Sequence, residues 1–253
     1  MGRSWSAAIA SAPIALLVLA GCASSATKQP QSQSPSSSAP ASGDNATMET
    51  KNFTADVFAA VKAADSFRVV GTGKDNGTTY ALDIHFGTKG GSGFFSEGSQ
   101  RFDLSGKAGT IYVKASAATW KAAIGARPDI DKVAAKLAGH WVMVPSTGSD
   151  LAQLGDYVDR DKFVASFSRS STSSGPFRKA GTATVSGTDA VAFVDQSDQS
   201  KVYIAAHGAP LLLKVEAPAS QGGGALTFSA YDEPFTPIMP APADVIDLAS
   251  VVK

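Results

Sequence analysis

Residues 79–86 read TYALDIHF, with Tyr80, Leu82, Ile84 and Phe86 at one parity and Thr79, Ala81, Asp83 and His85 at the other. A period of two is the side-chain repeat of a β-strand, so this stretch predicts a strand with one dry and one wet face. Upstream, FRVVGTG (67–73) carries the same alternation through Phe67 and Val69, and the turn signal KDNG (74–77) joins the two as a hairpin. Downstream, GTKGGSG (87–93) leads into GFFSEGS (93–99), QRFDLSG (100–106) and GTIYVKA (109–115). The first half therefore predicts antiparallel strands joined in sequence order.

Before this run, FTADVFAAVKAADSF (53–67) switches to helical spacing through Phe53, Val57, Ala60, Val61 and Ala64, with Thr54 as the expected N-cap. After it come two helical stretches, SAATWKAAIG (116–125) and PDIDKVAAKLAG (128–139), and a short strand, HWVMVP (140–145). Two helical patches then flank Asp159 in SDLAQLGDYVDRDKFVASFSRS (149–170), and the serine-rich stretch 168–175 reads as a flexible loop. Strand patterns resume in 177–187, 189–196, 200–208, 210–217 and 224–232. The proline-rich end, EPFTPIMPAPADVIDL (233–248), cannot donate normally to a central ladder and is expected along an edge. Strands, then helices, then strands predict an α+β domain: a curved antiparallel sheet of about nine strands, a half-barrel, wrapped around a few helices. One such domain fills residues 52–253.

The chain opens differently. Residues 1–21 have one basic residue, Arg3, then an apolar run ending in small residues, the layout of a secretory signal and too short for a membrane span of about 20 residues. The run ends in LAGC, which resembles the lipobox of bacterial lipoproteins, and this makes Cys22 the acylated anchor to the membrane. Cys22 is the single cysteine in 253 residues, which excludes an intramolecular disulfide and thiol catalysis. From 23 to 51 the chain contains Met48 but no Val, Ile, Leu, Phe, Tyr or Trp, so residues 22–51 read as a lipidated tether with a coil length of roughly 30 Å. Sequons at Asn45, Asn52 and Asn76 are discounted in a chain with a bacterial lipobox. Loss of the leader leaves 21 basic against 22 acidic residues, a net of −1, which offers no footprint for nucleic acid.

The residues that carry chemistry are sparse. His85, His140 and His207 have no metal-ligand spacing; His85 is expected to be solvated on the wet face of its strand. No G-x-S-x-G elbow surrounds any serine, and GTGKDNG (71–77) lies between strands rather than before a helix. Asp129 with Asp131, and Asp159 with Asp161, flank helix starts, where capping accounts for them. The expectation is a protein that is not an enzyme and carries no cofactor and no metal. What the chain offers instead is apolar bulk, 13 Phe among 43% hydrophobic residues.

The lipobox, the tether and the segments GTIYVKASAATW, AGHWVMVP, VSGTDAVAFVD, VYIAAHGAPLLLKVE and FSAYDEPFTPIMPAPADVIDL resemble actinobacterial lipoproteins of the LolA/LppX-like superfamily, LppX/LprG type. The resemblance runs from about residue 53 to the end. It implies a half-barrel around helices enclosing an apolar cavity for a hydrophobic small molecule or acyl lipid, on an extracytoplasmic, membrane-anchored protein that acts as a lipid carrier. The dry-face residues Phe67, Val69, Tyr80, Leu82, Ile84, Phe102, Leu104, Ile111 and Val113 are the candidate lining, with Trp120 and Trp141 near the mouth. The alternative is a non-catalytic module with a packed, ligand-free interior that binds an envelope protein or cell-wall polymer.

Overall fold

The structure is a computed structural model that describes residues 44–145, 150–172 and 176–252. The leader, Cys22 and the tether as far as residue 43 lie outside the described residues. Twelve strands form one sheet. In chain order they are β1 (Ser66–Asp75), β2 (Thr78–Gly87), β3 (Gly90–Glu97), β4 (Gln100–Lys107), β5 (Thr110–Ala115), β6 (Trp141–Val144), β7 (Phe177–Val185), β8 (Thr188–Asp195), β9 (Lys201–Ala205), β10 (Leu212–Ala217), β11 (Gly224–Ser229) and β12 (Val245–Asp247). Their order across the sheet is β12-β6-β5-β4-β3-β2-β1-β11-β10-β9-β8-β7. Every neighbouring pair is antiparallel except β12 with β6. The curved antiparallel sheet expected from the alternation is present, with three strands more than the pattern counted. The helices are α1 (Phe53–Ala63), α2 (Ala117–Ile124), α3 (Ile130–Leu137), α4 (Arg160–Thr172) and α5 (Leu248–Val251), with a 3-10 segment at Asp150–Tyr157.

Glycines let the sheet curl. A Cβ on Gly93, whose φ is +153°, would lie 1.9 Å from the carbonyl oxygen of Asp83 across the β2–β3 ladder, and one on Gly71 would lie 2.2 Å from that of Ala225. Neither strand could approach its neighbour as closely with any other residue.

The concave face holds one contiguous core. Phe53 on α1 lies 4.6 Å from Phe177 and 4.2 Å from Phe193 between ring centroids, Phe67 lies 5.0 Å from Phe86, and Phe86 lies 4.7 Å from Phe163 on α4. Aromatic pairs at these separations add to the area they bury. Tyr231 closes one flank, its buried hydroxyl donating to the carbonyl of Leu212 at 2.6 Å.

Several local expectations are corrected. The N-cap position of α1 is Asn52, without a side-chain cap, and Thr54 lies inside the helix. Residues 168–172 of the serine-rich stretch belong to α4, because the helix started by Asp159 continues through them; Asp159 Oδ1 accepts from the amide of Lys162. Asp129 stands at the N-cap of α3 as expected, with Asp131 in the first turn, but makes no side-chain cap hydrogen bond; its carboxylate is held by the guanidinium of Arg127. The last residues ahead of α1 are built onto the domain although the pattern assigned them to the tether. Asn45 is buried, its amide donating to the carbonyls of Ala205 at 2.8 Å and Gly208 at 3.2 Å, while Asp44 bridges to His207. A side chain so engaged is no glycan acceptor.

The proline-rich arm crosses the outer face of the sheet before it reaches an edge. Ser66 donates to the carbonyl of Glu233, and Ser105 to that of Ile238 at 2.7 Å. Between these points Phe235 stacks on His85. The arm then enters β12, parallel to β6. His85 is thus roofed over rather than solvated. Burial, with Arg68 adding, lowers its pKa from 6.5.

Candidate ligand-binding site

Register defines the concave face row by row. One row runs Ile84–Val69–Phe228, with Gly93, Leu104, Val113 and Val142 continuing it on the other side. Except for Gly93 its members are buried under the helices. The next row toward the β1–β2 turn runs Leu82–Gly71–Leu226–Val215–Val202 on one side. Here Leu82, Leu226, Val215 and Val202 are half-buried and pack on the edge of the core.

Still nearer that end of the strands, called here the upper rim, polarity changes. Tyr80 pairs with Glu97 in register and donates to its carboxylate at 3.2 Å. Tyr157, from the 3-10 segment, stacks on Phe95 at 4.6 Å. Burial pushes its phenol up to about 12, with the Glu97 carboxylate adding to the effect. The Tyr157 hydroxyl stays protonated across the neutral range.

Part of the cover is the pair α1 and α4, which lie side by side. Between them lies a half-open hollow of about 200 Å3 lined by Phe58, Ala59, Lys62, Asp161, Val164 and Ala165. Pockets for small organic ligands are typically about 300–1,000 Å3, so this seam is closed to such a guest as it stands. Arg160, at the start of α4, latches it. Its guanidinium donates to the carbonyls of Val61 at 3.3 Å, Lys62 at 2.9 Å and Ala64, and its carbon lies 5.6 Å from the centre of the Phe67 ring. A cation on the last carbonyls of a helix satisfies orphan acceptors and opposes the negative end of the dipole.

The dry-face candidates fall into two groups. Phe67, Val69, Ile84, Phe102, Leu104, Ile111 and Val113 are buried together in the concave-face core, at most 2% exposed. Tyr80 and Leu82 are half-buried at its upper edge. The two tryptophans are placed differently from the expectation. Trp120 is wholly buried on α2, inside the core rather than at a mouth. Trp141 is on the outer face, because Val142 and Val144 take the inward parity of β6; Lys114 Nζ lies 5.1 Å from its ring. Leu226, Val215, Val202 and the α1–α4 seam were missed. The alternation of the late strands was visible, but which strands would adjoin β1 was not.

No protein-family model matches the chain, and no curated protein matches it. Solved structures do. LprF from Mycobacterium bovis is similar at 15% identity with a TM-score of 0.50, over 76% of this chain and 97% of that one. The Mycobacterium tuberculosis lipoprotein LppX is similar at 17% identity with a TM-score of 0.43, over 74% of this chain and 99% of that one. The likeness to LprF shows that the LolA/LppX-like fold implied by the sequence resemblance is the fold of this chain.

Proposed function

We propose that this chain is a non-catalytic, extracytoplasmic lipoprotein, anchored through Cys22, that holds an acyl-chain lipid between the concave face and the α1–α4 pair and serves as a carrier in the cell envelope. The observation that carries the reading is the half-buried apolar row Leu82, Leu226, Val215 and Val202, continuous with the core and not fully covered. The fold shared with LprF supports it. An acyl chain laid on that row would gain about 25 cal/mol for each Å2 removed from water, offset by the cost of association. Because the seam is closed, a whole chain enters only when α1 and α4 part, and the Arg160 latch is what yields. Native mass spectrometry and lipid extraction of the purified protein test this: a co-purifying acyl lipid is expected, and a ligand-free protein that also takes up no fluorescent acyl probe overturns it.

A second reading, an envelope interaction module with a solid interior, is favoured by the closed core and by Ile238, which stands 79% exposed on the arm. The same measurement decides between them.

A further inference from the structure

Three large apolar side chains stand exposed among the described residues, and two of them are neighbours on the C-terminal arm: Ile238 at 79% and Met239 at 39%, with Val70 elsewhere on the sheet. Their backbone is fixed. Ser105, itself buried, donates its hydroxyl to the Ile238 carbonyl at 2.7 Å and lies 3.5 Å from Met239 Sδ. Pro237, also buried, and Pro240 restrict the chain on either side. An apolar side chain presented on a rigid backbone loses little entropy when something covers it.

Register places the pair toward the lower end of the sheet, opposite the upper rim. Ser105 faces Ser92 on β3 and Tyr112 on β5, and the next residue of β4 on the same face is Lys107, the last before the β4–β5 turn. Lys89 lies in the adjoining β2–β3 turn; a Cβ on Gly90, the residue after it, would come within 3.0 Å of Lys107 Cβ. Both lysines are exposed, and neither has an ion-pair partner among the described residues. The acids at the start of the arm, Asp232 and Glu233, lie beside β1, three strands away from β4: Asp232 accepts from the amide of Asp65, and Ser66 donates to the carbonyl of Glu233. The apolar pair thus has free cations on its β3–β5 side.

The same end sends the chain toward Cys22. Asn45 is docked on the carbonyls of Ala205 and Gly208, at and just beyond the lower end of β9. The 21 residues from 23 to 43 span roughly 25 Å as a coil, so an acyl group on Cys22 keeps this end within reach of a bilayer surface.

We propose that Ile238, Met239, Lys89 and Lys107 form a membrane footing. The two apolar side chains enter the interface of the bilayer that holds the anchor, and the two lysines meet anionic lipid head groups. A lipid surface fits this combination because apolar insertion and attraction to anionic heads add. Tethering supplies the local concentration that so small a contact needs. The footing rests on the Cys22 anchor for the position of the membrane and is independent of whether the interior holds a lipid.

The test labels the acylated protein, purified from membranes, at Thr236→Cys with an environment-sensitive fluorophore; with Cys22 acylated, this is the one free thiol. Thr236 is exposed beside the pair, and Thr79→Cys, exposed near the upper rim, is the control. In vesicles of phosphatidylcholine and phosphatidylglycerol in equal parts, the 236 label is expected to shift to the blue and to be quenched by spin-labelled lipid, while the 79 label stays solvent-like. Ile238→Asp should abolish both effects. Lys89→Glu with Lys107→Glu, or pure phosphatidylcholine vesicles, should cut them severalfold at unchanged vesicle retention. A solvent-like 236 label in the mixed vesicles overturns the footing, and shielding seen only in native envelope membranes overturns it in favour of a protein partner. A second labelled thiol at position 22, or protein that does not stay with the vesicles, overturns the anchor and the footing with it.

Discussion

His85 and Phe235 stack ring on ring, centroids 3.8 Å apart and planes 18° from parallel, fastening the C-terminal arm to the middle of β2. The imidazole Nε2 is buried there without a partner, so the contact requires neutral histidine. Burial comes first and Arg68 second in lowering its pKa from 6.5, while Glu233 on the arm and Asp83 on β2 draw it back. The sign follows: the stack contributes fully above about pH 6.5 and its contribution fades as pH falls through the lowered value. Amide exchange of residues 233–241 should quicken on acidification, and Phe235→Ala should return the His85 titration, followed by NMR, toward 6.5. A histidine titrating at its ordinary value in the unmodified protein would contradict this.

Removal of the Arg160 side chain strands the last carbonyls of α1. Arg160→Ala is expected to cost about 1.5–3 kcal/mol in urea unfolding, the range for hydrogen bonds to a charged group, with Arg160→Lys retaining part of it. If acyl lipid enters by the seam, the alanine variant should also take up probe faster.

Gly93→Ala places a methyl group against the Asp83 carbonyl at a φ that side chains avoid. A loss of stability above about 3 kcal/mol, or failure to fold, is expected. Thermal unfolding of the variant within a degree or two of the parent would show that the β2–β3 contact is looser than described.

The two tryptophans should part company. Trp120→Ala empties a core site and should cost about 3–5 kcal/mol in chemical unfolding. Trp141→Ala, on the outer face, should cost about 1 kcal/mol or less and leave acyl-probe uptake unchanged.

Cys22→Ala should abolish acylation and release the protein into the medium or arrest it as the precursor, read by membrane fractionation. Retention in the membrane at the parent level would remove the anchor from the proposal.

Much of the sheet was legible because alternation is a local signal. Tyr80, Leu82, Ile84 and Phe86 share the inward parity that the pattern assigned to them, and Phe67 and Val69 follow suit. The parity of WVMV (141–144) sets Trp141 opposite Val142 and Val144, whereas its position at the end of a segment had suggested a place near the mouth. The arm shows what pattern reading lacks. Its prolines announce extended chain, yet its path depends on Ser66, His85 and Ser105, residues scattered over three strands that only the folded sheet lines up. The candidate site was half legible for the same reason: β1 neighbours β11, more than 140 residues away, and no local pattern specifies that pairing.

The docking of Asn45 beside Ala205 and Gly208 has a mechanical consequence. That loop follows the lower ends of the strands, whereas Tyr80, Glu97 and Gln100 stand at their upper ends. With Cys22 as the proposed point of attachment, tension along the leash pulls on the bottom of the barrel wall, so the polar row would look outward, away from the bilayer that holds the protein and toward whatever lies beyond it.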